Sequence, residues 1–475
     1  MDSSTLAKKS LAELRQIAEA LALDGFQRMK KADLVELIVH AGQSDNPETA
    51  TDTAPEQGDD TPQEPAAEPA EDGAGTQKTG AAEGRQRQRT TESVSRSDTR
   101  ETQRDSGEGE DAEVREGVLD LLPEGYGFLR VTGYLAGARD VYVSQSVVRR
   151  LDLRPGDRIQ GPIRRNKNTD KFPALARVDR IESSELDPQE LPDRRPQFVE
   201  QTIVDPVERF AFTSAPDSPE SLVYIDTFAP LARGQRGLIV GAPGTGKSTV
   251  LSDLAGVLSK DHPDVTVMLL LLDERPEALS VASDIQVVST CEQPPEDHTQ
   301  IAELALERAK RLVERGEHVV VLLDSITRLA RAYQATAPLN ARTIGGLDVQ
   351  SLGATKRFFA QARAFAEGGS LTVIATATDD SVLDADRLLI DELEQVATVS
   401  VHLDRNAAER RAFPAVDPVR SYAHHAELLR DENDTDLVDN AKRALTQMSR
   451  VDAVDAMHAA FRASATASEA LRKLA

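Results

Sequence analysis

The chain has no tryptophan, a single cysteine, and aromatic side chains at only 4% of its 475 positions. Cys291 therefore has no internal disulfide partner, and nothing in the sequence calls for an oxidising compartment. No run of about 18 apolar residues is present, and the first residues lack the apolar core of a secretory signal. These absences predict a soluble protein of the cytoplasm. Basic residues are also scarce, 56 against 80 acidic, for a net charge of -24. Taken whole, that balance argues against nucleic-acid binding, because phosphate contacts need Lys and Arg. Much of the acid sits in one segment, however, and the length leaves room for about three domains of ~150 residues.

Four stretches of different character follow one another. In residues 1–43, Leu11, Leu14, Ile17 and Leu21 recur at helical spacing until Gly25, and KKADLVELIVHAG begins a second helix. This predicts a small helical unit. Its Lys8, Lys9, Arg28, Lys30 and Lys31 suit either a solvated bundle end or a weak nucleic-acid-binding arm. Residues 44–112 are rich in Pro, Glu, Asp, Ala, Gly and Thr, with almost nothing to bury, which predicts a disordered acidic linker. Residues 113–187 hold short alternating runs (EGVLDLL, GYGFLRVTG, DVYVSQSVV, DRIQGPIRR) bounded by Gly, Pro and Asp, the pattern of a small antiparallel barrel. In residues 188–475, RGLIVGAP, VTVMLLLLDE, HVVVLLDS, SLTVIATA and ATVSVHLD alternate with helical patterns, as buried parallel strands do, and the chain ends in helices.

GAPGTGKS, Gly241 to Ser248, matches G-x-x-x-x-G-K-[ST] between a strand and a helix. Backbone N–H groups of such a loop can surround phosphate oxygens. Lys247 is the candidate for the β- and γ-phosphates of ATP, and Ser248 for Mg²⁺. Asp324 ends the apolar run VVVLLDS, where a carboxylate is costly to bury unpartnered and the metal would supply a partner. Glu274 ends MLLLLDE in the same manner and is the candidate for activating the attacking water. A helix N-cap pair of Asp273 and Glu274 is the plainer alternative. Arg275 follows, within reach of phosphate or of a neighbouring subunit. Arg420, in AVDPVRSY, is one of many arginines that could serve as a cation delivered between subunits of a ring.

Three of the 6 tyrosines, Tyr126, Tyr134 and Tyr142, lie close together. In EGYGFLR, Tyr126 and Phe128 are two apart on a strand and share a face. Gly125 and Gly127 leave the backbone beside them bare, and Arg130 continues the face. A small barrel stacks single-stranded bases in this way; an aromatic core face would leave the same pattern.

EGYGFLR, DVYVS, RGQRGLIV, LLLDERPE, KRLVE, LLDSITRLARAY, KRFF, EGGSLTVIATA and FPAVD, with RMKKADLVELI near the start, give the chain a resemblance to the bacterial transcription termination factor Rho family. The resemblance covers nearly everything but the linker. It implies an OB or cold-shock-like RNA-binding barrel, then a RecA-like α/β P-loop ATPase core with a helical C-terminal tail. It implies a homohexameric RNA-dependent ATPase and 5′–3′ helicase that binds nascent RNA and releases it from RNA polymerase. Its partners would be that RNA, the RNA polymerase elongation complex, and termination and elongation factors. The barrel's RNA site would comprise Gly125, Tyr126, Gly127, Phe128, Leu129 and Arg130, then Asp140, Val141 and Tyr142, and Asp170, Lys171 and Phe172. A second RNA site in the ring's hole would include Arg342, Thr343, Ile344, Gly345 and Gly346. ATP would meet Ala232, Arg233, Gly234, Gln235, Arg236 and Gly237, the loop residues Gly244, Thr245, Gly246, Lys247, Ser248 and Thr249, and Arg275. Glu274 would be the catalytic carboxylate, Asp324 the Mg²⁺-associated acid, Arg420 the arginine finger, and Arg328 the link from nucleotide to neighbour.

The chain also departs from the family. Gly244 stands where the phosphate loop usually carries an extra lysine. After IATA the family has D-T-G-S-K; here TDDSVLDAD puts Asp384 in the lysine's place, beside Asp379, Asp380 and Asp386. Opposite RNA phosphate, that exchange turns attraction into repulsion. A family stretch E-F-K-G-T-G-N reads ELEQVATVS, and the first loop, PLNARTIGGLDVQ, is about one residue short. Two alternatives to a standard terminator therefore stand: a weakly translocating or non-translocating regulatory paralogue, and another ring motor of the same fold.

Overall fold

The computed structural model describes residues 113–164, 172–182, 184–185, 195–212, 218–276, 283–338, 342–379 and 383–475. The helical unit expected at 1–43 and the linker at 44–112 lie outside the described residues, as do Asp170, Lys171 and Asp380.

The first described body is a closed barrel. Strands β1 (Val114–Leu121), β2 (Gly127–Arg130), β3 (Val141–Val143), β4 (Arg158–Arg164) and β5 (Ala174–Leu175) run in the order β1-β2-β3-β5-β4, and β4 returns to β1. The short strands β6 (Arg180–Ile181) and β7 (Ser184–Glu185) extend from β4. Helix α1 (Gln145–Arg150) follows β3. Alternation fills the interior: Leu119, Leu129, Val141, Val143 and Ile159 are buried, while neighbours such as Val118, Phe128, Tyr142 and Arg158 are more exposed. One pairing departs from the expected antiparallel barrel. β3 and β5 are parallel, because the chain between them passes through α1 and β4 and so has the length a same-sense return needs.

The larger body is a nine-stranded sheet. Its central strands are β9 (Arg236–Gly241), β10 (Val265–Glu274), β11 (Ile285–Thr290), β12 (His318–Asp324), β16 (Ser370–Thr378) and β17 (Val399–Leu403), parallel in the order β11-β10-β12-β16-β9-β17. β18 (Tyr422–Ala423) adds an antiparallel edge, and β15 (Arg363–Phe365) links β16 to β8 (Ile203–Val204). A separate hairpin holds β13 (Thr343–Ile344) and β14 (Leu347–Asp348).

Both sheet faces are covered, so the strands read as unbroken apolar runs. Leu269, Leu271 and Leu322 join one core with α2 (Glu220–Phe228), α3 (Lys247–Asp261), α8 (Arg405–Glu409), α9 (Glu432–Leu445), α10 (Arg450–Arg462) and α11 (Ala467–Leu474). Met268, Leu270 and Leu323 join the other with α4 (Pro295–Val313), α5 (Ile326–Thr336), α6 (Val349–Phe359) and α7 (Asp384–Glu394). The barrel is fastened to this second side by Arg308 to Glu182 at 2.6 Å, Arg195 to Asp157 at 2.7 Å, and Gln300 to Asp120 at 2.9 Å. Among the described residues, no helix is long and apolar enough to cross a membrane.

Candidate nucleotide and RNA sites

The parallel strands bring their C-terminal ends to one edge, and the candidate hydrolysis residues gather there. Leu271 of β10 lies opposite Asp324 of β12, and Thr378 of β16 opposite Gly241 of β9. After Gly241 the chain turns through Gly244 and Gly246 at φ +81° and +96°, a region that a Cβ disfavours, and then enters α3. Lys247 folds back over this loop, donating to the Gly241 and Ala242 carbonyls at 2.7 and 2.9 Å. Burial pushes its ammonium below the ordinary lysine range, against the pull of Asp324. A phosphate would relieve that cost by supplying charge and acceptors.

Both carboxylate oxygens of Asp324 are held: Oδ2 accepts from Ser248 Oγ at 2.6 Å, and Oδ1 from Thr376 Oγ1 at 2.7 Å. Ser248 donates its proton to the acid and keeps lone pairs for a cation. These are adjacent hard oxygen donors beside a phosphate loop, a set that suits Mg²⁺. Glu274 is buried at the end of β10. A register shift between Leu272 and Glu274, with Asp273 at φ +54°, reorients it. Its carboxylate is ion-paired with Arg328, which also donates to the Leu272 carbonyl at 3.3 Å.

A cavity of about 640 Å³ opens beside the loop, lined by Gly244 to Thr249, by Pro219 and Glu220 at the start of α2, and by Phe413 and Pro414. Neither Phe413 nor α2 carries a motif that assigns it to this site. An exposed aromatic in FPAVD was the available signal, because Phe413 comes within 3.9 Å of where a Cβ on Gly246 would stand. Two predicted cations do not line this cavity. Arg275 and Arg420 are exposed, and Arg420 sits on a turn whose backbone N–H is held by Asp417 at 3.0 Å. Ala232 to Gly237 do not join the site. They precede or begin β9, whose six residues put them about 17 Å from the phosphate loop. Ala232 and Gln235 are buried and bonded to each other at 2.8 Å, Gly234 packs on Ala364, and Arg236 donates to the Ala362 carbonyl at 3.0 Å.

Helix α5 connects this edge to the hairpin. Arg328, Arg331 and Gln334 recur every third residue and so share a face. Arg328 takes Glu274, Arg331 pairs with Asp386 of α7 at 2.6 Å, and Gln334 donates to the Gly346 carbonyl at 2.9 Å. Gly345 and Gly346, at φ +56° and +84°, form the tip of the hairpin, and Arg342, Thr343 and Ile344 lead to it exposed.

On the barrel, Tyr126, Phe128, Tyr142 and Phe172 form one half-exposed cluster. Phe128 lies 6.2 Å from Tyr126, 6.0 Å from Tyr142 and 5.3 Å from Phe172. Gly125, at φ +87°, turns the chain into β2. A Cβ on Gly127 would fall 2.4 Å from the Asp120 carbonyl. Four predicted contact residues are otherwise engaged. Leu129 and Val141 point into the barrel, as strand alternation requires, so their side chains cannot meet RNA. Arg130 shares the aromatic face, 5.6 Å from the Phe128 ring, yet its guanidinium is buried between Asp120 and Asp140 at 2.5 and 2.6 Å. Arg130 thus takes Asp140 through Oδ2, while Asp140 Oδ1 stays buried without a hydrogen-bond partner; the Arg130 guanidinium, though burial opposes it, is held protonated by the two carboxylates.

Three family models match the chain. They are the Rho termination factor N-terminal domain over residues 5–44, the Rho termination factor RNA-binding domain over 115–187, and the ATP synthase alpha/beta family nucleotide-binding domain over 221–423. Transcription termination factor Rho of Escherichia coli is 39% identical over 350 residues, which cover 72% of this chain and 83% of that protein. The chain belongs to the Rho family. Rho of Aquifex aeolicus is likewise 39% identical, over 72% of this chain and 80% of its own length. Rho of Mycobacterium leprae is 40% identical, but the match spans 62% of that longer protein.

Set against the Rho family's lysine-bearing loop, the acids after IATA separate. The Asp379 N–H donates to the Gly241 carbonyl at 3.1 Å, and its charge acts on Lys247, which puts it with the phosphate loop. Asp386 is buried in its pair with Arg331. Asp384 alone among the described acids of this stretch is exposed at the start of α7.

Proposed function

We propose that this chain is an RNA-stimulated ATPase of transcription termination. It assembles as a homohexamer, takes nascent RNA onto its barrel, and moves 5′–3′ along it to release the transcript from RNA polymerase. The observation that carries this reading is the single face of α5 on which Arg328 holds Glu274 while Arg331 and Gln334 hold α7 and the hairpin. A change in Glu274's partner on one side is thereby coupled to both candidate RNA-gripping elements on the other. A nucleotide-binding module without a translocating role would not need that connection.

In this mechanism the loop amides and Lys247 bind the ATP phosphates. Ser248 and Asp324 would hold Mg²⁺, which when bound neutralises phosphate charge. Glu274, released by Arg328, orients water and accepts its proton. Arg420 of one subunit meets the nucleotide of the next and stabilises the charge that develops on the transferring phosphoryl group. Tyr126, Phe128, Tyr142 and Phe172 stack bases, and Arg342 with the hairpin tip contacts RNA in the ring.

The test is ATP hydrolysis by the purified chain with and without poly(C), beside Glu274→Gln. RNA stimulation that falls by about 10²–10⁴ in the variant supports the reading, that being the usual worth of a positioned base. One observation favours a second reading, a regulatory paralogue that binds RNA and ATP without moving: exposed Asp384 in place of a lysine. RNA binding with no stimulation of hydrolysis would favour the paralogue and refute the motor.

A further inference from the structure

A second cavity, of about 750 Å³, lies against the later turns of α2, whose first turn lines the nucleotide cavity, and is walled by α9, α10 and α11. Its apolar surface comes from Val223, Val438, Phe461 and Leu471, and its charged groups are Arg209, Asp226, Arg430 and Asp434. The two arginines differ. Arg209 is neutralised by buried Asp226 at 2.7 Å. Arg430, also half-buried, has no carboxylate in contact among the described residues; it donates only to the Thr227 carbonyl. A desolvated guanidinium with five N–H donors and one acceptor is short of partners. Burial, with Arg209 nearby, pushes its pKa down to about 10 against the more distant pull of Asp226, Asp439 and Asp434. Asp434 accepts from Ser468 Oγ at 3.3 Å and retains acceptor capacity. α11 starts at the mouth, capped by Thr466 through the Glu469 N–H, and the N–H groups of Ala467 and Ser468 stay open to an anion, with Glu469 offsetting part of the helix dipole.

We propose that this cavity is an effector site for a small phosphate monoester bearing hydroxyl groups, with the phosphate on Arg430 and a hydroxyl on Asp434, and that the nucleotide cavity senses its occupancy through α2. A phosphate supplies the acceptors that Arg430 lacks, bidentately. A hydroxyl donor answers Asp434, which would repel a bare anion. The apolar wall takes the organic body. Helix α2 is the shared partition: Val223, Asp226 and Thr227 face the effector cavity, whereas Pro219, Glu220 and Ser221 line the nucleotide cavity. Ser221 Oγ bonds Asp253 of α3 at 2.5 Å, so a shift of α2 reaches the helix that carries Lys247 and Ser248.

Equilibrium dialysis of ribose 5-phosphate, and separately of inorganic phosphate, tests this on the full-length chain with its phosphate loop filled by Mg²⁺ and a non-hydrolysable ATP analogue. Ribose 5-phosphate should bind, and inorganic phosphate about ten-fold or more weaker for want of the hydroxyl and body contacts. Arg430→Gln should weaken binding about ten-fold or more. Ala467→Trp, which obstructs the mouth and leaves every charge in place, should abolish it. The analogue's own affinity should shift with ribose 5-phosphate in the wild type, and not in Ala467→Trp, because coupling is reciprocal. Absence of binding overturns the ligand class, and binding retained by both variants overturns the site. Equal binding of inorganic phosphate overturns the hydroxyl contact, and binding without a shift in analogue affinity overturns the coupling through α2. None of these readouts requires hydrolysis or RNA movement, so the RNA-motor reading can fail while this one stands.

Discussion

Phe128 and Leu129 are adjacent in β2, and their replacement by alanine should fail in opposite ways. Phe128 faces out, at the centre of the aromatic cluster, with three rings between 5.3 and 6.2 Å. Base stacking on such a ring is worth about 1–3 kcal/mol, so Phe128→Ala should weaken RNA binding roughly 5- to 150-fold. Its cost to the fold should stay near ~1 kcal/mol, the worth of the lost ring contacts. Leu129 is fully buried in the barrel. Leu129→Ala leaves a void and should cost about 2–5 kcal/mol of stability, with RNA affinity unchanged at temperatures where the protein remains folded. Fluorescence anisotropy with an unstructured cytidine-rich oligonucleotide, paired with thermal unfolding, separates the two. Repeating the titration across salt adds a sharper check. Phe128→Ala removes no phosphate contact, so the slope of log Kd against log salt should not change. The reasoning is refuted if Phe128→Ala binds as wild type, or if folded Leu129→Ala loses RNA to the same degree.

Three further outcomes follow from the same structure. Lys442 donates to the Phe228 and Ser421 carbonyls at 3.2 and 2.7 Å, and burial pushes its pKa down to about 8. The unfolded chain then holds more protons between about pH 8 and pH 10, so stability should rise with pH across that window; Lys442→Met should flatten the rise in calorimetric Tm. Arg331→Ala frees buried Asp386 from its partner. Because Asp386 stays buried without its cation, the stability loss should be about 1–3 kcal/mol, yet RNA stimulation of ATPase kcat should fall while the KM for ATP holds. Asp384→Lys should tighten RNA binding, by at most about 30-fold at low salt and less as salt rises, since reversing an exposed charge ~4 Å from phosphate is worth up to ~2 kcal/mol.

The gathering of Lys247, Ser248 and Asp324 at one strand edge was legible in the sequence because its signals are local. A glycine loop between an apolar strand and a helix names Lys247 and Ser248, and an acid at the end of a buried run names Asp324. The same holds for the aromatic face, where a spacing of two fixes the side that Tyr126 and Phe128 share. The parallel β3–β5 pair was not legible, because it depends on how a long connection returns. Nor was the pairing of Arg130 with Asp140: ten residues apart in sequence, they meet only when β2 and β3 pair. The stretch Ala232 to Gly237 adjoins a genuine site strand in sequence, but a strand moves about 3.3 Å per residue in one direction, and adjacency in sequence becomes the far edge of the sheet.

Counting charges along TDDSVLDAD overstates how hostile this segment is to RNA. A formal charge repels phosphate only if it is exposed and unpaired. Asp379 belongs to the phosphate loop through Gly241 and Lys247, and Asp386 is buried against Arg331. Among the described residues the repulsion therefore falls on Asp384, set near the exposed hairpin that presents Arg342. One acid per subunit weakens a grip without abolishing it, whereas the pairing of Asp386 with Arg331 reinforces the route from α7 through α5 to Glu274. The segment that looks most like a departure thus supplies, in Asp386, a structural support for α5, and for this reason the translocating reading outweighs the regulatory one.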